Sequence, residues 1–374
     1  MKVLYQTRYN IFERKGGDTV QILKTKEFIE SRYPHIRIDI DSDPHADLSS
    51  YDMVHIFNML RPQETVLFME NARKQGKKTA LSTIFWRSTE FERHGQIGLR
   101  KWVNRMISYD SMEKLRGLYR YYVDGEKHEG TARLIRAGYT RLQRDILEQA
   151  DLLLPNGEGE IELIRRIFRP EKQLEYVVVP NAIDAGIFAC EPDAQRRDIV
   201  LCVGRFEPRK NQLNLIRAMS GLSYKLVLAG TAHETQQQYL NAMRKAARTA
   251  DVEIVDEMDH VELQSLYGRA RVHVLPSWYD TPGLASLEAA VSGCNIVATT
   301  RGTTKEYFGD DAYYCEPGDV ESIRKAVVAA YEAPFNRQLQ ENILSRYTWA
   351  QTADRTVEGY CRMLDRKEPE VSAG

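Results

Sequence analysis

Short apolar runs rich in β-branched residues recur along the chain, separated by stretches long enough to hold a helix. In the first half they fall at 3–5, 35–40, 53–57, 79–85, 151–155 and 176–179. In the second they fall at 199–203, 225–229, 252–255, 272–275 and 296–298. Helical runs lie between them, over about 19–31, 62–74, 158–168, from 212 onward, 236–249, 261–267, 284–292 and 320–333, with a last one at 348–364. Strands that alternate with helices in this way predict parallel, doubly wound α/β sheets. A chain of 374 residues is too long for one ordinary core and predicts two domains. The polar, patternless ACEPDAQRRD at 189–198 is where they are expected to divide, giving 1–190 and 191–346.

The stretch VLPSWYDTPGLASLEAAVSGCNIVATT (274–300) reads as strand, tight loop, helix, glycine, strand. Pro282 suits a first-turn position, where its missing N–H costs nothing. Gly283 lets backbone amides approach a ligand, and the start of a helix at Leu284 is an anion-binding geometry. Glu288 follows Asp280 by eight residues, so both carboxylates can face one crevice. Upstream, a strand ending at Val203 runs into Gly204, Arg205 and, at the next helix start, Lys210. The two cations can converge on one anion or stand as solvated loop charges. Gly16 and Gly17 form another strand–glycine–helix start, open to either a structural turn or a phosphate contact. Asp18, with Gln21 three residues on, resembles a capping box. His55 lies inside an apolar strand and reads as a core histidine.

Composition narrows the classes. Apolar content is 43% and the formal net charge is −1, which excludes general polyanion affinity and any nucleic-acid partner. The five cysteines are scattered without a CxxC pair, which argues against a zinc site or disulfide framework and suits a reducing compartment. No stretch approaches the length of a membrane span, and the N-terminal apolar run is too short for a signal peptide. The expectation is a cytoplasmic protein. One segment breaks the rhythm. Residues 97–147 are helical and carry Arg100, Lys101, Arg105, Lys114, Arg116, Arg120, Arg133, Arg136, Arg141 and Arg144, interleaved with Trp102 and several tyrosines. Such an insertion is either a solvated helical face or a surface for an anionic membrane or lipid-linked acceptor.

The segments VPNAID (179–184), GRFEPRKNQ (204–212), LAG (228–230), LPSWYDTPGLASLEAAVSG (275–293) and RYTWAQTADRTVEGY (346–360) together resemble glycosyltransferase family 4, the retaining enzymes of the GT-B fold. The resemblance runs along nearly all of the second half and mainly in layout along the first. It implies two Rossmann-like domains facing a central cleft, with the helix in 347–365 returning to the first domain and a tail at 366–374. It implies transfer of a sugar from a nucleoside-diphosphate sugar to a glycan or lipid-linked acceptor, in cell-envelope polysaccharide synthesis. Arg205 and Lys210 would hold the donor diphosphate in place of a metal, with no cofactor. Glu288 would bond the ribose hydroxyls, and Asp280 would stand beside the donor sugar. The amides near Gly283 and Leu284 would cap the phosphates, joined by Gly204 and, from across the cleft, by Gly16 and Gly17. Fixed cations and amides aimed at the leaving oxygens lower such a barrier.

Two departures stand out. The first acid of the family's pattern is Asp280, one methylene short of glutamate. The stretch STIFWRSTEF (82–91) also lacks the histidine that many relatives place after the fourth strand. A nucleotide-sugar epimerase and a non-catalytic nucleotide-sugar-binding partner of another transferase remain alternatives. An NAD oxidoreductase is disfavoured, because no GxGxxG follows a strand.

Overall fold

A computed structural model describes residues 1–13, 16–96, 108–123, 129–188, 198–256 and 258–367. The chain forms two compact units, one of residues 1–85, 106–181 and 349–374, the other of 86–105 and 182–348. The first unit therefore ends before 190, and the described residues 86–96 belong to the second. The stretch 189–197, part of the expected boundary, and the basic positions at 100, 101 and 105 lie outside the described residues.

The first unit opens with β1 (Lys2–Gln6), α1 (Gly17–Arg32), β2 (Arg37–Asp41), β3 (Met53–Phe57), α2 (Pro62–Lys74) and β4 (Lys78–Ser82). Then come α3 (Tyr109–Tyr122), α4 (Gly130–Ala137), α5 (Tyr139–Gln149), β5 (Leu152–Leu153) and α6 (Glu158–Phe168). The sheet order is β2-β1-β3-β4-β5, all parallel. Every residue of β3 is buried, as a strand covered on both faces requires. His55 in β3 is a core residue, bonded to Tyr360 and Ser82. The run 176–179 makes only a single bridge, Leu153 to Tyr176, and is not a full strand. Asp18 is not the cap of α1. Gly16 holds that position, and Asp18 sits in the first turn, paired with Arg8 at 2.9 Å.

The second unit contains α7 (Ala185–Phe188), β6 (Ile199–Val203), α8 (Gln212–Met219), β7 (Lys225–Ala229), α9 (Gln237–Ala247), β8 (Val252–Val255), α10 (His260–Arg269) and β9 (Ala270–Leu275). It continues with α11 (Leu284–Val291), β10 (Asn295–Thr299), α12 (Thr304–Phe308), β11 (Tyr313–Cys315), α13 (Val320–Glu332) and α14 (Arg337–Arg346). Its sheet order is β11-β10-β9-β6-β7-β8, again parallel. Two apolar layers sandwich it, one built on Leu215, Leu226, Val272 and Val327, the other on Leu201, Leu287, Ile296 and Ile343. α14 is absent from the sequence reading. It is anchored by buried Leu339 and Ile343 within an otherwise polar stretch.

The last helix, α15 (Trp349–Leu364), belongs to the first unit. It buries Ala353, Val357 and Tyr360 in that core, and Asp354 accepts from both Arg32 (2.8 Å) and Tyr33 (2.8 Å) of the α1 end. Among the described residues no helix is long and apolar enough to cross a membrane.

Candidate functional site

The carboxyl ends of β6 and β9 lie side by side in the second sheet, at the kind of position where open α/β sheets bind ligands. β6 runs into Gly204, whose N–H donates to the carbonyl of Ala229 at the end of β7. The chain then makes one turn over Pro208–Lys210 and reaches Asn211 in the left-handed region, φ +62°. The Asn211 amide donates to the carbonyls of Pro276 (2.9 Å) and Pro317 (2.8 Å), so three loops are tied at one point. The Trp278 N–H donates to the Arg209 carbonyl, which sets the loop after β9 against this turn.

Within this frame the Lys210 ammonium donates to Asp280 Oδ2 at 2.7 Å, and the Ser277 hydroxyl donates to the same oxygen at 2.9 Å. Arg209 Nη1 lies 3.7 Å from Asp280 Oδ1. Its guanidinium also bonds Glu207 (2.9 Å) and sits over the Tyr279 ring at 5.3 Å. Burial disfavours charge on Asp280, but Lys210 and Arg209 outweigh it and hold the carboxyl below its usual range. Burial draws the Lys210 ammonium down from its usual value, with Asp280 opposing and Arg209 reinforcing. The backbone of Asp280 is fixed as well. Its N–H donates to the Arg301 carbonyl, and its carbonyl accepts from Thr303. Gly302, at φ +100°, passes so close that a Cβ there would lie 1.7 Å from the Asp280 carbonyl oxygen, which no other residue permits.

Gly283, at φ +89°, precedes α11, and its carbonyl already accepts from Ser286 and Leu287. The amides of Leu284 and Ala285 come before any intrahelical partner, so this helix start presents donors beside the Lys210–Asp280 pair. A Cβ on Gly283 would come within 3.4 Å of Asp280 Cγ, which places this glycine directly against the pair.

The structure thus brings together Gly204, Lys210, Asp280, Gly283 and Leu284. Arg205 is different. Its side chain is 61% exposed and stands 4.0 Å from Glu207. Glu288 is partly buried one turn further along α11 and accepts from the Tyr267 hydroxyl at 2.9 Å. Burial raises its carboxyl to about 7, against the opposing effect of the Tyr267 bond. Gly16 and Gly17 lie in the first unit, at the start of α1, where the Gly16 N–H donates to Thr19 Oγ1. Arg209, Ser277 and Asn211 were not singled out from the sequence. The one available signal was the Arg209–Lys210 pair of adjacent cations. Their shared partner lies 70 residues downstream of Lys210 and leaves no local pattern. Among the described residues no cluster of three or more His, Cys, Asp or Glu side chains is placed to hold a metal ion.

Comparison with known proteins adds a family match and a fold. Residues 188–346 match the family model described as Glycosyl transferases group 1. A glycogen synthase of Mycobacterium tuberculosis is 30% identical over 233 residues, covering 58% of this chain and 55% of that protein. The chain thus spans about half the length of that curated relative. Among solved structures, sucrose-phosphate synthase from Thermosynechococcus elongatus superposes with a TM-score of 0.71 at 14% identity, covering 98% of this chain and all of that one. Anabaena HepE in complex with UDP-glucose does so with a TM-score of 0.68 at 13% identity, covering 97% and 100%. Both cover essentially the whole chain, and the fold is GT-B, with two Rossmann-like parallel-sheet units.

Proposed function

We propose that the chain is a retaining glycosyltransferase of the family 4 type, moving a sugar from a nucleoside-diphosphate sugar to a glycan or lipid-linked acceptor in polysaccharide synthesis. The observation that carries this reading is the Lys210–Asp280 pair set against the open first turn of α11, at the carboxyl ends of β6 and β9. The match of residues 188–346 to a glycosyltransferase model covers that whole constellation. The kinship to a glycogen synthase and the likeness to a structure holding UDP-glucose support a nucleotide-sugar donor.

In this reading the diphosphate lies over the α11 amides, and Arg205 reaches it from the exposed side. Lys210 neutralises the leaving oxygen, so the protein itself supplies the cations and no metal is needed. Asp280 holds Lys210 in place and limits how far its charge can wander. Glu288 accepts from the ribose hydroxyls. Charges fixed before reaction act on the departing diphosphate without further reorganisation.

The surface of α3 and α4 supports a membrane-side acceptor. Leu115, Tyr119 and Tyr122 are exposed at helical spacing on α3, followed by exposed Val123, and Arg116 of α3 and Ile135 and Arg136 of α4 are exposed as well. The proposed seat is the anionic inner face of a membrane.

The direct test is thermal unfolding with UDP, GDP or ADP, each with and without EDTA. Saturation at 100 times the dissociation constant adds about 2.7 kcal/mol, a clear shift. A shift with one nucleotide that EDTA leaves unchanged is expected. No shift with any of them overturns the donor assignment, and a shift abolished by EDTA overturns metal independence.

A further inference from the structure

We infer that Glu90 and Arg301 are positioning residues for the loops that carry Arg209, Lys210 and Asp280, because together they seat the Phe91–Gly95 turn on those loops. The inference rests on the donor-site reading above.

The chain leaves the first unit after Phe85, and the described residues 86–96 belong to the second. Glu90 then receives a two-pronged contact from Arg301, Nε to Oε2 at 2.9 Å and Nη2 to Oε1 at 3.2 Å. The remaining Arg301 nitrogen, Nη1, lies 2.7 Å from Glu316. Arginine matches a carboxylate in this forked geometry, which fixes orientation as well as distance. The Arg301 carbonyl also accepts from the Asp280 N–H. One residue therefore holds Glu90 through its side chain and Asp280 through its backbone.

Beyond Glu90, a single helical turn over Phe91–Gly95 lies on the donor loops. The Phe91 ring meets the Tyr279 ring edge-on at 6.1 Å, and the other partner of Tyr279 is the Arg209 guanidinium. Gly95 is wedged between the Phe91 ring and the Trp278 indole, so that a Cβ would collide with the Phe91 ring and come within 2.7 Å of Trp278 Nε1. Trp278 in turn bonds the Arg209 carbonyl. The stretch after β4, where the sequence lacks the expected histidine, thus acts as a strap on the loops of the pair rather than as a bearer of chemistry.

The test is hydrogen exchange of the full-length protein, read on peptides spanning 205–212 and 276–283, for wild type, Glu90→Gln, Arg301→Gln and Gly95→Ala. Affinity for UDP, GDP and ADP is measured in parallel. Glu316→Gln is the control, since Glu316 contacts Arg301 but not the strap. Losing a partly exposed ion pair is expected to speed exchange in both peptides by about two- to fivefold. Affinity for whichever nucleotide binds should weaken by a similar factor, with kcat less affected than the donor KM. Gly95→Ala leaves the ion pair intact and should give the same signature by displacing Phe91 and Trp278, the two rings through which the turn meets the donor loops. Wild-type exchange in both peptides for folded Glu90→Gln and Gly95→Ala overturns the inference. Faster exchange in a protein whose wild type binds none of the three nucleotides supports the seating and overturns the donor assignment instead.

Discussion

Lys210 and Asp280 meet at 2.7 Å, and both side chains are about a tenth exposed. A pair this deep resists removal of one partner more than removal of both, because the survivor is left charged and unsolvated. Lys210→Met should destabilise the protein by about 3 kcal/mol. Asp280→Asn, which leaves Lys210 and Arg209 facing each other without a shared anion, should also be costly. The double variant should lose less than the sum, a coupling readable by urea unfolding. Additive losses would show that the two side chains do not stabilise each other.

Arg205 separates binding from folding. Its guanidinium is mostly solvated and lies 4.0 Å from Glu207, so the fold does not depend on it. Arg205→Ala should leave stability within about 0.5 kcal/mol of wild type. It should nonetheless weaken nucleoside-diphosphate binding by tenfold or more, the scale of a lost charge-assisted hydrogen bond. Titration calorimetry with the nucleotide found by thermal shift checks this. Equal affinities would remove Arg205 from the diphosphate site.

Glu288 predicts a pH dependence of both affinity and stability. Burial lifts its carboxyl to about 7 from an ordinary 4.5. As a carboxylate it accepts two ribose hydroxyls, and when protonated it accepts less well. Nucleotide affinity should therefore rise as pH climbs through 7, and Glu288→Gln should flatten the part of the profile that the phosphate's own titration does not explain. For stability the unfolded chain ionises near 4.5 while the folded chain keeps the proton to about 7. The protein thus loses stability across that window and regains none above it. Glu288→Gln should be closer to wild type, or more stable, at pH 8 than at pH 4, by about 3 kcal/mol in relative terms. Parallel pH profiles for the two proteins would refute the shift.

Much of this site was legible in the sequence. Strand ends followed by glycine, a proline beside a helix start, and the residues Lys210, Asp280 and Glu288 are local patterns, and local patterns survive in one dimension. What the sequence hid is what depends on meeting. Arg209 carries no local mark of its role, which comes from Tyr279, Glu207 and Asp280 closing around it in the fold. Glu90 and Arg301 are separated by 211 residues and carry no spacing that links them. The strand–helix rhythm of the first unit predicted its parallel sheet but not the order of its strands, and residues 86–96 belong to the second unit, where an Arg–Glu fork and an aromatic edge hold them. The run 176–179 lies against β5, with buried Val177 and Val179 donating to the carbonyls of Leu153 and Pro155, but only Tyr176 completes a bridge, so the run falls short of a strand.

The exposed apolar stripe of α3 makes a membrane prediction that separates charge from apolar contact. Leu115, Tyr119 and Tyr122 sit on one helical face, and each is at least half exposed. Wild type should sediment with vesicles containing anionic phospholipid and not with neutral ones. Tyr119→Ser with Tyr122→Ser should weaken binding at any ionic strength, while Arg116→Gln with Arg136→Gln should abolish mainly its salt-sensitive part. Wild type that ignores anionic vesicles would leave the stripe without a membrane role.

His55 governs acid stability in the first unit. Its ring nitrogens meet the Tyr360 hydroxyl at 2.6 Å and the Ser82 hydroxyl at 2.9 Å, which joins β3 and β4 to α15. Burial pulls its pKa down to about 3 from 6.5. An unfolded chain takes up the proton near 6.5, whereas the folded one refuses it until about 3. The stabilisation is therefore complete above 6.5 and drains away as pH falls towards 3, at up to about 1.4 kcal/mol per pH unit. His55→Gln should be less stable than wild type at pH 8, having lost a fitted hydrogen-bonded ring, and the gap should narrow steadily below pH 6.5. His273 in β9, also drawn to about 3 by burial, keeps a residual acid sensitivity in the variant. Urea midpoints at pH 8, 6 and 5 measure the difference. A gap that stays constant across them would mean that His55 takes up its proton alike in the folded and unfolded chain, and would refute the shift.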